Sequence, residues 1–160
     1  MKSAEDVRKS SQGRRGEPLD EALRRAGHAA LPERHVRDFA ADADRLFAAY
    51  NAKDFAALER LISPAIAFEH CNRGFAFSTR DALLGVLREF AEKIVPDRRF
   101  TGPVRMTVMG NRVVREARWS GIARSAVPTM AEPGGRVDLL LCSVLTFDDD
   151  GVLVEWKDYG

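Results

Sequence analysis

Cysteine is scarce: Cys71 and Cys142 are the only two in 160 residues. They lie far apart without metal-ligand spacing, so neither a disulfide framework nor a zinc cluster is expected, and both read as reduced core thiols. No charge sign dominates either. Lys plus Arg number 25 and Asp plus Glu 24, and a net charge of +1 gives no field to steer the chain onto nucleic acid or an acidic membrane. No apolar run approaches the ~20 residues of a membrane helix, and no apolar stretch follows the first basic residues, so a cytoplasmic protein is expected. A phosphate or dinucleotide loop is missing too, since Gly134-Gly135 stands alone between strands. No cofactor and no metal are expected. What remains is a chain 45% hydrophobic and 31% charged, which suits a single domain around one core.

Residues 1–34 read as an N-terminal extension with a slight basic excess. Lys9 to Gly16 is polar and glycine-containing, the composition of a segment too poor in apolar surface to offset its ordering entropy. Leu19, Ala22, Leu23 and Ala26 have helical spacing behind Pro18, Asp20 and Glu21, which predicts a short helix ending near Gly27. Residues 35–160 form the domain. Val36, Phe39, Ala43, Leu46, Phe47 and Tyr50 make one helical stripe, and Phe55, Leu58, Leu61 and Ile62 a second that stops at Ser63-Pro64. Ile66 to Cys71 alternates as a strand. Ser78-Thr79-Arg80-Asp81 supplies a capping hydroxyl for a third helix carrying Leu83, Val86, Leu87, Phe90 and Ile94. From Phe100 the pattern turns to β, with strands over Val104–Met109, Arg112–Ile122, Val137–Phe147 and Val152–Tyr159 and hairpin turns at Met109–Arg112 and Asp148–Gly151. The class is α+β, with a curved antiparallel sheet following a helical first half.

Leu46–Asp54 closing the first helix, Phe68-Glu69-His70 on the first strand, Thr79-Arg80-Asp81-Ala82 opening the third helix and Asp150–Tyr159 at the end resemble the nuclear transport factor 2-like superfamily, nearest its SnoaL-like and limonene-epoxide-hydrolase-like branch. The resemblance covers roughly residues 35–160. It implies a cone in which the curved sheet wraps the third helix around a deep pocket, commonly in a homodimer. Its members include polyketide cyclases, epoxide hydrolases, isomerases, dehydratases and non-catalytic proteins, so the fold alone decides little.

On the last strand, alternation puts Asp158 on one face with Val152, Val154 and Trp156. A carboxylate among apolar side chains is costly to ionise, which motivates an acid/base role, and the resemblance implies a proton-transferring aspartate at this Trp-x-Asp position. The alternative is a frayed or backbone-capping aspartate near the terminus. The epoxide-hydrolase pattern of Arg-x-Asp on the Arg112–Ile122 strand aligns with Arg118 and Ser120, so Arg118 is expected to orient or ionise Asp158. A serine hydroxyl is far too weak an acid to replace the second carboxyl. Glu116, on the same face, is either a substitute or a structural partner of Arg118. His70 shares a face with Phe68. An imidazole titrates nearest neutrality, so His70 is either a second proton carrier or a hydrogen-bonded strand-end histidine. Leu46 stands where the resemblance implies a phenolic donor in the isomerases, and Tyr50 one turn later compensates only in part.

Met106 and Met109 read as core filler. Arg98-Arg99 and Arg14-Arg15 read as solvated charge. Phe68, Trp156, Val154 and Leu139–Leu141 suggest an apolar pocket for a small hydrophobic molecule. The leading expectation is a cofactor-independent enzyme performing cyclisation, dehydration, isomerisation or epoxide opening. Asp158, His70 and Arg118 would be catalytic, and Trp156, Phe68, Tyr50, Ser120 and Glu116 would bind substrate. The competing expectation is a non-catalytic ligand-binding or dimerisation module. Residues 1–34 would serve as a partner-binding arm or lid.

Overall fold

The structure is a computed structural model and describes residues 37–160. The expected extension, with its short helix, lies outside the described residues. Helix α1 (Phe39–Ala52) starts where the Asp38 carboxylate accepts the Ala41 N–H at 3.0 Å, and it ends at Lys53 in the left-handed region. Asp54 caps α2 (Phe55–Leu61) in the same way, and Thr79 caps α3 (Arg80–Glu89). These termini follow the sequence pattern. The third helix departs from it at its end, where Phe90–Ile94 widens into a π turn. Among the described residues seven strands form one sheet: β1 (Ile62–His70), β2 (Phe75–Phe77), β3 (Arg99–Phe100), β4 (Arg105–Met109), β5 (Arg112–Ile122), β6 (Arg136–Phe147) and β7 (Leu153–Tyr159). Their order is β2-β1-β7-β6-β5-β3, with β4 also on β5.

All pairs are antiparallel except β1 with β7, so the sheet is mixed. The parallel pair joins the ends of the chain's path, with α3 and the hairpins supplying the long crossover such pairing requires. Alternation breaks at the start of β7. Phe147 pairs with Leu153 but Thr146 with Glu155, so one extra residue bulges and Leu153 as well as Trp156 turns inward. The inner face of the sheet packs on α1 through Leu46, Phe47 and Tyr50, and on α3 through Leu83 and Leu84. Asn51 acts as a surrogate strand partner for Phe100, donating to its carbonyl at 2.7 Å and accepting its N–H at 2.8 Å. Among the described residues no helix is long and apolar enough to cross a membrane.

Some local expectations are corrected. Both cysteines are free, but each is only half-buried, because Cys142 alternates outward between Leu141 and Ser143 and Cys71 follows the end of β1. Met109 is exposed rather than core, since it pairs with outward-facing Arg112. Leu140 is exposed for the same reason of alternation, and only its neighbours Leu139 and Leu141 turn toward the core.

Candidate active site

Pairing across the sheet aligns His70 of β1 with Asp158 of β7, Asp158 with Ser143 of β6, and Ser143 with Arg115 of β5. Registered residues share a face, so these four form a polar row across an otherwise apolar inner surface. The adjacent row is Phe77, Phe68, Trp156, Leu145 and Val113. Asp158 is 5% exposed. The Ser143 hydroxyl donates to its Oδ1 at 2.5 Å and the Trp156 indole N–H donates to the same oxygen at 2.7 Å. Among the described residues Oδ2 accepts no hydrogen bond. Burial raises the Asp158 carboxyl from 3.8 to about 6, against the opposing pull of those two donors. The group can therefore hold or release its proton near neutrality while one oxygen is locked in place.

His70 is half-buried, and its Nδ1 is buried without a hydrogen-bond partner among the described residues. Burial, helped by the charge of Arg73, pushes its pKa down, which favours a neutral imidazole able to accept a proton. His70 and Asp158 are register neighbours that make no hydrogen bond to one another.

A cavity of about 260 Å³ is lined by Tyr50, Phe68, Phe75, Phe77, Leu83, Val86, Leu87, Phe90 and Trp119. Neither Asp158 nor His70 is among its lining side chains. They adjoin it through Phe68, two residues before His70 on the same face, and through Phe75, the cross-strand partner of His70. Tyr50 is buried, and its hydroxyl accepts the Trp119 indole N–H at 2.7 Å. Burial pushes the Tyr50 phenol up to about 12, and Asp158 lies near enough for its charge to add to that shift. Phe68 stacks at 5.9 Å on Phe77 and edge-on at 5.4 Å to Trp156, which joins the cavity wall to the carboxylate's anchor. Trp156 itself is fully buried behind the wall and does not line the cavity, and Val154 and Leu139–Leu141 do not line it either.

Arg118 does not meet Asp158. The inward residues of β5 are Val113, Arg115, Ala117 and Trp119, so Arg118 projects from the opposite face and pairs with Asp138 at 2.7 Å. Ser120 and Glu116 share that outer face, and Glu116 lies 3.7 Å from Arg105. These three residues leave the expected site because the large indole of Trp119 sets the phase of the strand. The inward guanidinium on β5 is Arg115, which stacks 4.1 Å over Phe47 and donates to the Thr101 carbonyl at 3.2 Å. Arg98, expected to be solvated, is 1% exposed. Ser143 carried a signal in the sequence, as the polar member of the apolar series Leu141, Ser143, Leu145 and Phe147, whereas Arg115 shares its face with Val113, Ala117 and Trp119 on a strand whose two faces are both mixed. Arg98 carried no such signal. Among the described residues no three His, Cys, Asp or Glu side chains converge as a metal site would require.

The profile of the SnoaL-like domain family matches residues 43–156. The chain belongs to that family. No curated protein matches the sequence. Solved structures do: a candidate polyketide cyclase from Xanthomonas campestris pv. campestris is 18% identical with a TM-score of 0.65, over 76% of this chain and 89% of that one. An epoxide hydrolase of the limonene-epoxide-hydrolase type from M. tuberculosis is also 18% identical, with a TM-score of 0.59 over 76% and 80% of the two chains. A protein from Catenulispora acidiphila with a ketosteroid isomerase-like fold, solved with trimethylamine, is 18% identical with a TM-score of 0.61 over 74% and 84%. At these identities the likeness is one of fold: the SnoaL-like α+β cone.

Proposed function

We propose that this SnoaL-like domain is an acid/base enzyme that works with its own side chains on a small, neutral, largely apolar molecule. The reaction class is proton transfer, as in cyclisation, dehydration, isomerisation or epoxide opening. One observation carries the reading: a buried carboxyl, Asp158, has one oxygen clamped by two donors and the other uncommitted, with a pKa near the pH at which it must act. A purely structural aspartate has no need to keep one oxygen free of hydrogen bonds from the protein. Asp158 moves the substrate proton through Oδ2, and His70 is the second proton carrier across the same row. Phe68 and Tyr50 form the wall, while Trp156 holds the carboxyl in place. The protein is taken to act as a homodimer, docked through the outer face of β5 to β7, where Ile122, Leu140 and Tyr159 are exposed beside the Arg118–Asp138 pair.

The test is turnover of a panel of small apolar ketones, epoxides and tertiary alcohols in deuterated water, followed by NMR for carbon-bound deuterium and for product. Wild-type protein is expected to act on at least one class, and Asp158→Asn to slow that reaction at least ~100-fold. Equal rates in the two proteins contradict the mechanism. A second reading rests on the absence of Asp158 and His70 from the cavity lining, and makes the protein a ligand-binding module. Ligands bound tightly and recovered unchanged by wild-type protein across the whole panel favour that reading.

A further inference from the structure

Among the described residues nine line the cavity, six of them aromatic and none charged. Among them only Tyr50 and Trp119 carry polar side-chain atoms. The Trp119 N–H is spent on the Tyr50 oxygen, so that oxygen acts as an acceptor and the phenol proton is left over. Among the described residues the Tyr50 O–H donates to nothing. It is the one uncommitted side-chain donor in an apolar chamber.

Arg98 lies directly behind it. Its guanidinium sits 3.9 Å over the Tyr50 ring, and it donates to the Tyr50 carbonyl at 3.2 Å and to the Leu87 carbonyl at 3.2 Å. It has no carboxylate partner among the described residues, and its Nε is buried without a hydrogen bond. Burying a cation without a counter-ion is costly, and two carbonyls with one ring face offset that cost only in part. What the arrangement does supply is electronic. A cation against the ring and an N–H donated into the oxygen both draw charge from the phenol, and each makes its remaining O–H a stronger donor.

We infer that Trp119, Tyr50 and Arg98 form a polarised donor relay whose phenol O–H grips a neutral oxygen acceptor of the ligand, a carbonyl or ether-type oxygen on a one- or two-ring apolar skeleton. Tyr50 touches the ligand, and Arg98 and Trp119 are positioning residues acting through it. The skeleton size follows from a cavity below the ~300–1,000 Å³ of drug-sized sites. The inference rests on the cavity of the proposed enzyme being the ligand site, and it assigns the oxygen-binding end of that site rather than the proton carrier.

The full chain is titrated with 2-acetylnaphthalene and with 2-ethylnaphthalene, its counterpart without the oxygen. The ketone is expected to bind about fivefold more tightly, the typical worth of one net hydrogen bond, and its carbonyl stretch to fall on binding. In wild-type protein, the Cζ resonance of Tyr50 moves with the ketone and stays fixed with the hydrocarbon, a readout that needs no variant. Tyr50→Phe abolishes the affinity difference and the carbonyl shift while 2-ethylnaphthalene still binds, which shows that the chamber is intact. Arg98→Lys keeps most of the carbonyl shift, and Arg98→Met and Trp119→Phe reduce it. Equal binding of the two naphthalenes, no binding of either, or an unchanged carbonyl shift in Tyr50→Phe overturns the inference. Asp158→Asn is expected to leave the carbonyl shift in place, so loss of the donor relay and loss of the acid/base reading give different results.

Discussion

Asp158 is stabilised in its protonated form by its surroundings, and that has a cost at neutral pH. Because its folded pKa lies above its unfolded value, the folded state binds the proton more tightly, so this contribution to stability is full below about pH 4 and is lost as pH rises to about 6. Asp158→Asn, whose side-chain carbonyl can still accept from Ser143 and Trp156, is expected to be more stable than wild type at pH 8 by on the order of 2 kcal/mol, with little difference at pH 4. Urea midpoints at the two pH values check this. Ser143→Ala removes one of the two donors that hold the carboxyl down, so the acidic limb of the rate profile should move to higher pH. An unmoved limb means that the Ser143 hydroxyl does not act on the ionised form. Alternation put Asp158 on one face with Trp156 and His70 on one face with Phe68, but it left open which face of the first strand turns inward. Arg118 was misplaced because both faces of β5 carry arginine, and the sequence has no marker for which one faces in until the Trp119 indole is seen buried.

At the scale of elements, the segment between the π turn and β3 carries Arg98 and is held by close approach rather than by a helix or strand of its own. The Ile122 N–H donates to Asp97 Oδ1 at 2.8 Å, and the Arg124 N–H to the Ile94 carbonyl at 2.7 Å. Gly121 makes this approach possible, since a Cβ there would collide with the Val95 side chain and come within 3.1 Å of the Arg98 Cα. Gly121→Ala is expected to cost about 1–3 kcal/mol and to weaken ketone binding through Arg98, measured by thermal unfolding and by the naphthalene titration. Asn51→Ala strips Phe100 of two hydrogen bonds and should cost about 2 kcal/mol. The long helices and strands could be read from periodicity, whereas β2 and β3 span three and two residues, too few for a pattern to repeat. The π turn and the bulge in β7 are likewise one-residue adjustments to packing, which propensity does not encode.

For the whole molecule, the sheet has an inner face that carries the cavity and the polar row, and an outer face whose exposed Leu140 and Ile122 sit among paired charges. If that outer face joins two copies, Leu140→Arg should shift the protein from dimer to monomer in sedimentation velocity and leave the naphthalene affinities unchanged. A wild-type monomer contradicts the dimer directly. The fold class and the inner-face location of Asp158 were readable from the chain alone, and the chemistry of the cavity was not, because its aromatic lining is gathered from one helix, three strands and the π turn. The proposed chemistry requires Asp158 to keep its proton into the range where it can give it up and take it back. The most direct measurement is the pH titration of its carboxyl carbon by ¹³C NMR in the unliganded protein. A midpoint near 6 is expected. A midpoint near 3.8 would make Asp158 a permanently ionised anchor for Ser143 and Trp156, and would contradict that chemistry.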